Sequence, residues 1–217
     1  MTKTILLTGF EPFAGNTLNS SWEAVRALAG QRIGHEHVVV SELLPCAFDD
    51  SLQQLNQLIE LHQPEIVVAV GQAGGRTAFS LERVAINLKD AAIPDNTGQQ
   101  PVDQPILEDG PAAYFSTLPI KAIVARLREH GIPAEVSQSA GTYVCNTVFY
   151  GLMHALNNLQ RPARAGFVHI PLLPAQAANK AGAPSMAEPI IVEGLRLALS
   201  VTLSVKQDLK LSGGTTH

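Results

Sequence analysis

Residues 134–158 read AEVSQSAGTYVCNTVFYGLMHALNN, and this stretch sets the architecture. Ala134–Ser137 has strand character, Gly141 leads a turn, and an amphipathic helical pattern then runs to Asn158. Strand, turn and helix in that order form the repeating unit of an α/β protein. Cys145 is seated where the turn becomes the helix. In a core a thiol merely fills space. At a helix start it meets backbone N–H groups that favour the thiolate and can hold an oxyanion.

The same unit recurs on either side. Apolar or β-branched runs of strand length occur at Lys3–Thr8, His37–Leu44, Glu65–Val70 and Gly166–Ile170. Phe79–Leu88 (FSLERVAINL) alternates apolar and polar, as a strand with one wet face does. Helical patterns lie between. Ser20 and Glu23 form a capping box ahead of Trp22, Val25 and Leu28; Leu52, Leu55 and Ile59 follow the capping candidates Asp49 and Asp50. Pro119 opens a helix that Gly131 closes, and Ser185 with Glu188 starts another toward Val205. Residues 89–117, rich in Pro, Asp and Gly, read as a long excursion. The expectation is an α/β protein: a single-domain three-layer α/β/α sandwich with a mainly parallel sheet over residues 1–211, then a flexible tail over 212–217.

Composition narrows the class. The chain is 46% hydrophobic and 16% charged, enough to bury a sizeable core. Fifteen basic against nineteen acidic residues give a formal charge of −4, with no basic patch, so neither nucleic acid nor an anionic membrane is the expected partner. The apolar run at the N-terminus has strand length and lacks a signal-peptide cleavage pattern, and no segment has transmembrane length, so a cytoplasmic location is expected. Cys46 and Cys145 are far apart and in no C-x-x-C arrangement, which argues against a disulfide framework and a cysteine zinc site.

Ligands of open α/β sheets bind beyond the carboxyl ends of strands. Here those ends carry TGFEPFAG, VGQAGGR, QSAGTYVCN and VHIPLLP, so the unusual groups collect on one rim. His169 interrupts an apolar strand. Such a histidine is commonly a hydrogen-bonded core residue, yet among the histidines it alone is placed to meet a thiol on a neighbouring connection. Glu82 and Arg83 point to opposite faces of a strand, so Glu82 needs another partner, which an imidazole would supply. Cys46 has no such setting and is read as structural. GQAGGR resembles a phosphate-cradling loop without the spacing of a known nucleotide motif. Phe10 and Phe13 are either core packing or a slot for a flat ring.

Taken together, GFEPF, GQAGGR, ERVAIN, IPDN, AGTYVCN and HIPLLP followed by PSM resemble the pyroglutamyl-peptidase I (pyrrolidone-carboxylate peptidase) family, in family order from about residue 4 to about residue 190. The resemblance implies a cysteine peptidase that removes N-terminal pyroglutamate from peptides, with Cys145 as nucleophile, His169 as general acid/base and Glu82 orienting the imidazole. It implies that Phe10 and Phe13 hold the lactam ring, that Gln72 addresses the lactam's amide edge, and that Asn19 steadies the first loop. It implies no metal or organic cofactor, and a homotetramer. One position departs: the family usually has arginine where Ala92 stands in AAIPDN. Two other readings stay open, a catalytically impaired binder of pyroglutamyl peptides and a nucleoside-phosphorylase-like enzyme using GQAGG for phosphate.

Overall fold

A computed structural model describes residues 2–159 and 163–214. Among the described residues the strands are β1 (Lys3–Phe10), β2 (Arg32–Ile33), β3 (His37–Leu44), β4 (Ile66–Gln72), β5 (Phe79–Glu82), β6 (Val84–Ile86), β7 (Ala113–Phe115), β8 (Ala134–Ser137) and β9 (Arg164–Ile170). The helices are α1 (Ser20–Arg26), α2 (Phe48–His62), α3 (Ile120–Glu129), α4 (Val144–Asn157), α5 (Pro174–Ala177) and α6 (Glu188–Ser204). Seven strands form one sheet in the order β2-β3-β1-β4-β9-β5-β8, while β6 and β7 pair separately.

Strand parity assigns each side chain to a face. Ile5, Leu7, Ile66, Val68, Val70, Val168 and Ile170 pack with α1, α3 and α6, whereas Leu6, Val67, Ala69, Ala165 and Phe167 pack with α2 and α4. Strands buried on both faces become continuous apolar runs, which is why Ile5–Leu7 and Ile66–Val70 read so. Each fully buried Leu, Ile or Phe contributes about 1.5–3 kcal/mol, so the two layers together clamp the sheet.

The pairing is parallel for β1–β3, β1–β4, β4–β9 and β5–β8, and antiparallel for β2–β3 and β5–β9. The expected common rim needs correcting on this point. β5 and β8 run against β9, so the end of β8 does not share a rim with the ends of β1, β4 and β9. The chain after β8 reaches the site over the sheet face instead.

The strand expected over 79–88 is also corrected. β5 is buried along its whole length, with no wet face, and the chain leaves the sheet at Arg83. β6 pairs with β7, and the Asn146 carboxamide bonds Ile86 N at 3.1 Å, Ile86 O at 2.9 Å and Leu88 O at 3.0 Å. Those backbone groups therefore need no place in the main sheet.

Helix starts differ from the expected boxes. Asn19, one residue before Ser20, caps α1 by accepting from Ser21 N at 3.0 Å. α2 starts at Phe48 without a cap of its own, and Asp95 from the excursion accepts from Phe48 N at 2.8 Å. Asp208 accepts from Lys121 N and Ala122 N at the start of α3. Ser185 makes a bridge to Leu172 instead of capping α6, and Pro189 sits in that helix's first turn, where its missing N–H costs nothing. Of the expected flexible tail, Gly213 O is held by Arg83 and Gln138, and residues 215–217 lie outside the described residues. Among the described residues no helix is long and apolar enough to cross a membrane.

Asp95 also accepts from Thr97 N, Thr97 Oγ1 and Gln99 N, so it closes its own loop while capping α2. Asp95→Ala is expected to cost about 2 kcal/mol, at the upper end for a lost cap, read as a lower urea midpoint at unchanged slope. An unchanged midpoint would show that α2 does not depend on this carboxylate.

Candidate active site

His169 stands in β9 beside Gly71 of β4, as register partners in parallel strands. Partnered residues project to the same face, here the α4 side, where Phe167 also points. The Phe167 and His169 ring centroids are 4.8 Å apart. A Cβ built on Gly71 would lie 3.0 Å from Cys145 Sγ and 2.7 Å from Phe167 Cζ. The thiol therefore occupies the space that a side chain at position 71 would fill, next to the imidazole. Only glycine leaves that room.

Glu82 approaches from the other flank. Ser80 pairs with His169 across β5 and β9, and Glu82, two residues on, shares that face. Its Oε1 lies 2.8 Å from His169 Nδ1, and Glu82 is fully buried. An ionised carboxylate only accepts, so Nδ1 carries the proton and Nε2 is left as the acceptor. Burial holds His169 below its ordinary pKa, opposed by the hydrogen bond and charge of Glu82 and reinforced by Arg76. Burial thus favours the neutral ring.

The thiol departs from expectation. Cys145 is the second residue of α4, whose N-cap Tyr143 offers no side-chain hydrogen bond, so the first-turn N–H groups are not consumed by a side-chain cap. The Cys145 amide does lower the thiol pKa, and so does Arg76. Burial outweighs both and, with the charges of Cys46 and Glu82, holds the pKa above its ordinary value. Burial thus favours the protonated thiol. Cys46 is buried, and burial pushes its thiol up to about 12.

The remaining candidates separate. Phe10 is buried in the core, its ring 6.3 Å from Phe167, and does not form an open wall. Phe13 is half-buried and faces Tyr143 at 6.2 Å. Gln72 points to the opposite face from Gly71; its Oε1 accepts from Ser20 N at 2.9 Å and Gln176 Nε2 at 2.6 Å. The carboxamide oxygen is thus committed to fastening β4 to α1 and α5. Asn19 Nδ2 donates to Glu11 O across the first loop. Ala92 is exposed on the excursion between Asp90 and Pro94. Asp90 bonds Thr142, and Pro94 O accepts from Tyr143 Oη. Among the described residues no group of three or more His, Cys, Asp or Glu side chains is arranged to hold a metal.

Three residues that the sequence reading passed over belong here: Gly71, Tyr143 and Arg76. Gly71 was findable from strand parity with His169. Arg76 closes the GQAGGR stretch, and nothing in one dimension shows that it reaches Glu82, with Nη1 2.7 Å from Oε1.

The fold and these groups define an α/β protein with a thiol, an imidazole and a carboxylate gathered at one end of its central strands. Residues 3–205 match the family described as Pyroglutamyl peptidase. The chain is 56% identical over 215 residues to the pyrrolidone-carboxylate peptidase of Erwinia tasmaniensis, covering 99% of this chain and all of that one. It superposes on the pyroglutamyl peptidase I of Bacillus amyloliquefaciens with a TM-score of 0.94 at 48% identity, covering 98% of this chain and 100% of the other. A mutant pyrrolidone carboxyl peptidase from Pyrococcus furiosus gives a TM-score of 0.90 at 41% identity, over 93% of this chain and 98% of that one. The chain belongs to the pyroglutamyl peptidase family.

Gly71→Ala puts a methyl into the space of the thiol and the Phe167 ring. Overpacking of this kind costs about 1–3 kcal/mol. The expected outcome is a melting temperature lowered by a few degrees, with a far larger loss in the alkylation rate of Cys145. Equal alkylation rates in the two proteins would show that the thiol does not need the vacant position.

Proposed function

We propose that this chain hydrolyses the bond after an N-terminal L-pyroglutamyl residue of peptides, with Cys145 as nucleophile, His169 as general base and acid, and Glu82 orienting the imidazole. The observation that carries the reading is the thiol lodged over Gly71, beside an imidazole whose Nδ1 is held by a buried carboxylate.

The chemistry starts from neutral thiol and neutral imidazole. As Sγ attacks the scissile carbonyl carbon, His169 Nε2 takes the thiol proton. The oxyanion of the tetrahedral intermediate is met by first-turn N–H groups of α4. When the C–N bond breaks, the imidazolium gives its proton to the departing amine, leaving a thioester on Cys145. Water then attacks, losing a proton to Nε2, and the thiolate leaves and recovers that proton. Glu82 accepts from Nδ1–H throughout and stabilises the cationic ring between transfers.

The ring slot is assigned to Phe13 and Tyr143, while Phe10 packs in the core against Phe167. Tyr143 immediately precedes α4, so the wall and the nucleophile move together. Gln72 contributes from the opposite face, by fastening the end of β4 to α1 and α5, and Asn19 by holding the loop that carries Phe13. An apolar slot favours the uncharged lactam over a protonated ring amine of similar size.

Release of a fluorescent amine from its L-pyroglutamyl and L-prolyl amides tests this. Turnover of the pyroglutamyl amide alone is expected, with Cys145→Ser lowering it at least ~1,000-fold, as loss of a nucleophile does. Turnover surviving in Cys145→Ser, or equal use of both amides, refutes the assignment.

Ala92 favours a second reading, an impaired enzyme that binds pyroglutamyl peptides and cuts them slowly. Its exposed methyl lies on the loop bonded to residues 142 and 143. Under that reading Ala92→Arg raises turnover, by up to about 100-fold if a lost oxyanion donor is restored. Unchanged kcat removes it.

A further inference from the structure

Glu82 spends both of its partners on one oxygen. His169 Nδ1 and Arg76 Nη1 approach Oε1 at 2.8 and 2.7 Å, while Oε2 is buried and has no hydrogen-bond partner. Arg76 reaches further: Nη1 is 3.3 Å from Ser137 Oγ and Nη2 is 3.2 Å from Ser139 O. The turn that delivers it uses Gly75 at φ 91°, a conformation only glycine adopts without strain, and closes with Arg76 N to Ala73 O. One guanidinium therefore joins the carboxylate behind the imidazole to the segment that leads from β8 to the thiol.

We propose that Arg76 is a positioning residue of this site: it fixes the Glu82 carboxylate in the orientation that serves His169, and clamps residues 137–139 so that Cys145 enters α4 beside the imidazole. The proposal rests on the assignment of Cys145, His169 and Glu82 made above. Arg76 acts through these groups and does not touch the reacting atoms.

A carboxylate held by one imidazole N–H alone is free to rotate and exchange its oxygens. The planar guanidinium, fastened at Ser137 and Ser139, removes that freedom. Its charge matters as well. With Arg76 in place His169 faces a nearly neutral pair; without it, a bare buried anion. The charged and titratable groups facing His169 are Glu82 from β5, Arg76 from the turn after β4 and Cys145 from α4; those facing Cys145 also include Cys46, after β3, and Tyr143, before α4. Arg76 lowers the pKa of both His169 and Cys145, in keeping with a cation close to both.

The sign follows. The productive resting state carries one proton on the thiol–imidazole pair. A second proton, on the imidazole, ends activity at low pH, and loss of the first ends it at high pH. Removing a nearby cation favours the more protonated state at both steps. The whole bell-shaped profile therefore moves to higher pH. A residue that only braces the fold lowers the bell without moving it.

The test measures kcat/KM for the fluorescent L-pyroglutamyl amide from pH 5 to 10 in the wild type, Arg76→Met, Arg76→Lys and Cys145→Ser, with thermal melts on each. Arg76→Met is expected to lose about 10- to 100-fold at its maximum, as removal of an orienting partner generally does, and to shift both limbs upward. Arg76→Lys keeps the charge but not the fork, so its limbs stay at the wild-type positions while the maximum is only partly rescued. Limbs that stay put in Arg76→Met, or shift equally in both variants, overturn the proposal. Should Arg76→Met fail to fold, Arg76→Lys decides: displaced limbs, or full wild-type activity, refute the positioning role. Turnover surviving in Cys145→Ser refutes the underlying assignment and this proposal with it. A silent Cys145→Ser with unmoved limbs in Arg76→Met refutes only the role of Arg76.

Discussion

A buried carboxylate needs a partner, and at Glu82 that requirement organises the molecule around it. Its charge is fully buried at the end of β5, answered by an imidazole from β9 and a guanidinium from the turn after β4. Leaving such a charge uncompensated costs several kcal/mol. β5 therefore has to lie beside β9, and the GQAGGR turn has to fold back over it. In the antiparallel register Ser80 lies opposite His169, and Glu82, two residues on along the same face, reaches the imidazole.

Helix starts divide along the same line. α1, α2 and α3 each receive a side-chain oxygen at the N-terminus, from Asn19, Asp95 and Asp208. Two of these caps come from distant segments, so they also tie the excursion and the C-terminal stretch to the core. α4 begins with Tyr143, which cannot cap. α6, which follows Ala187, also has no side-chain cap; at α4 the absence leaves first-turn N–H groups for the reacting carbonyl of the proposed chemistry.

The alternation of strand and helix was legible because period and punctuation are local properties: five of the seven main-sheet strands match a run read from the sequence, and β5 takes up the first part of the 79–88 run. The two-residue edge strand β2 gave no signal of its own. The 79–88 run failed for a definite reason: alternation looked like one wet face, whereas Ser80 is bonded to Glu135 and Glu82 to His169 and Arg76. Polar residues that are fully partnered mimic exposed ones. Strand direction was also out of reach, since it depends on which edge β5 joins. Caps were misplaced by one residue at α1 and missed where the oxygen came from elsewhere in the chain.

At the site, residue types and spacing brought out Cys145, His169 and Glu82, and the resemblance supplied their roles. Surroundings were less readable. Seating a thiol at a helix start suggested an activated sulfur; burial against β4 acts in the opposite sense and pushes the thiol pKa up. Gln72 and Phe10 lie at a strand tip as expected, yet parity turns Gln72 to the far face and the neighbouring Phe167 draws Phe10 into the core.

The burial that favours a protonated Cys145 thiol bears on how the protein endures. Peroxides and other oxidants attack thiolates, and a sulfur kept protonated by burial is a poor target for them. A permanently ionised nucleophile would be consumed by the first oxidant it met. In the proposed chemistry the sulfur gains its reactivity only while Nε2 of His169 draws off its proton, and burial of Cys145 keeps the thiol chemically quiet between those events.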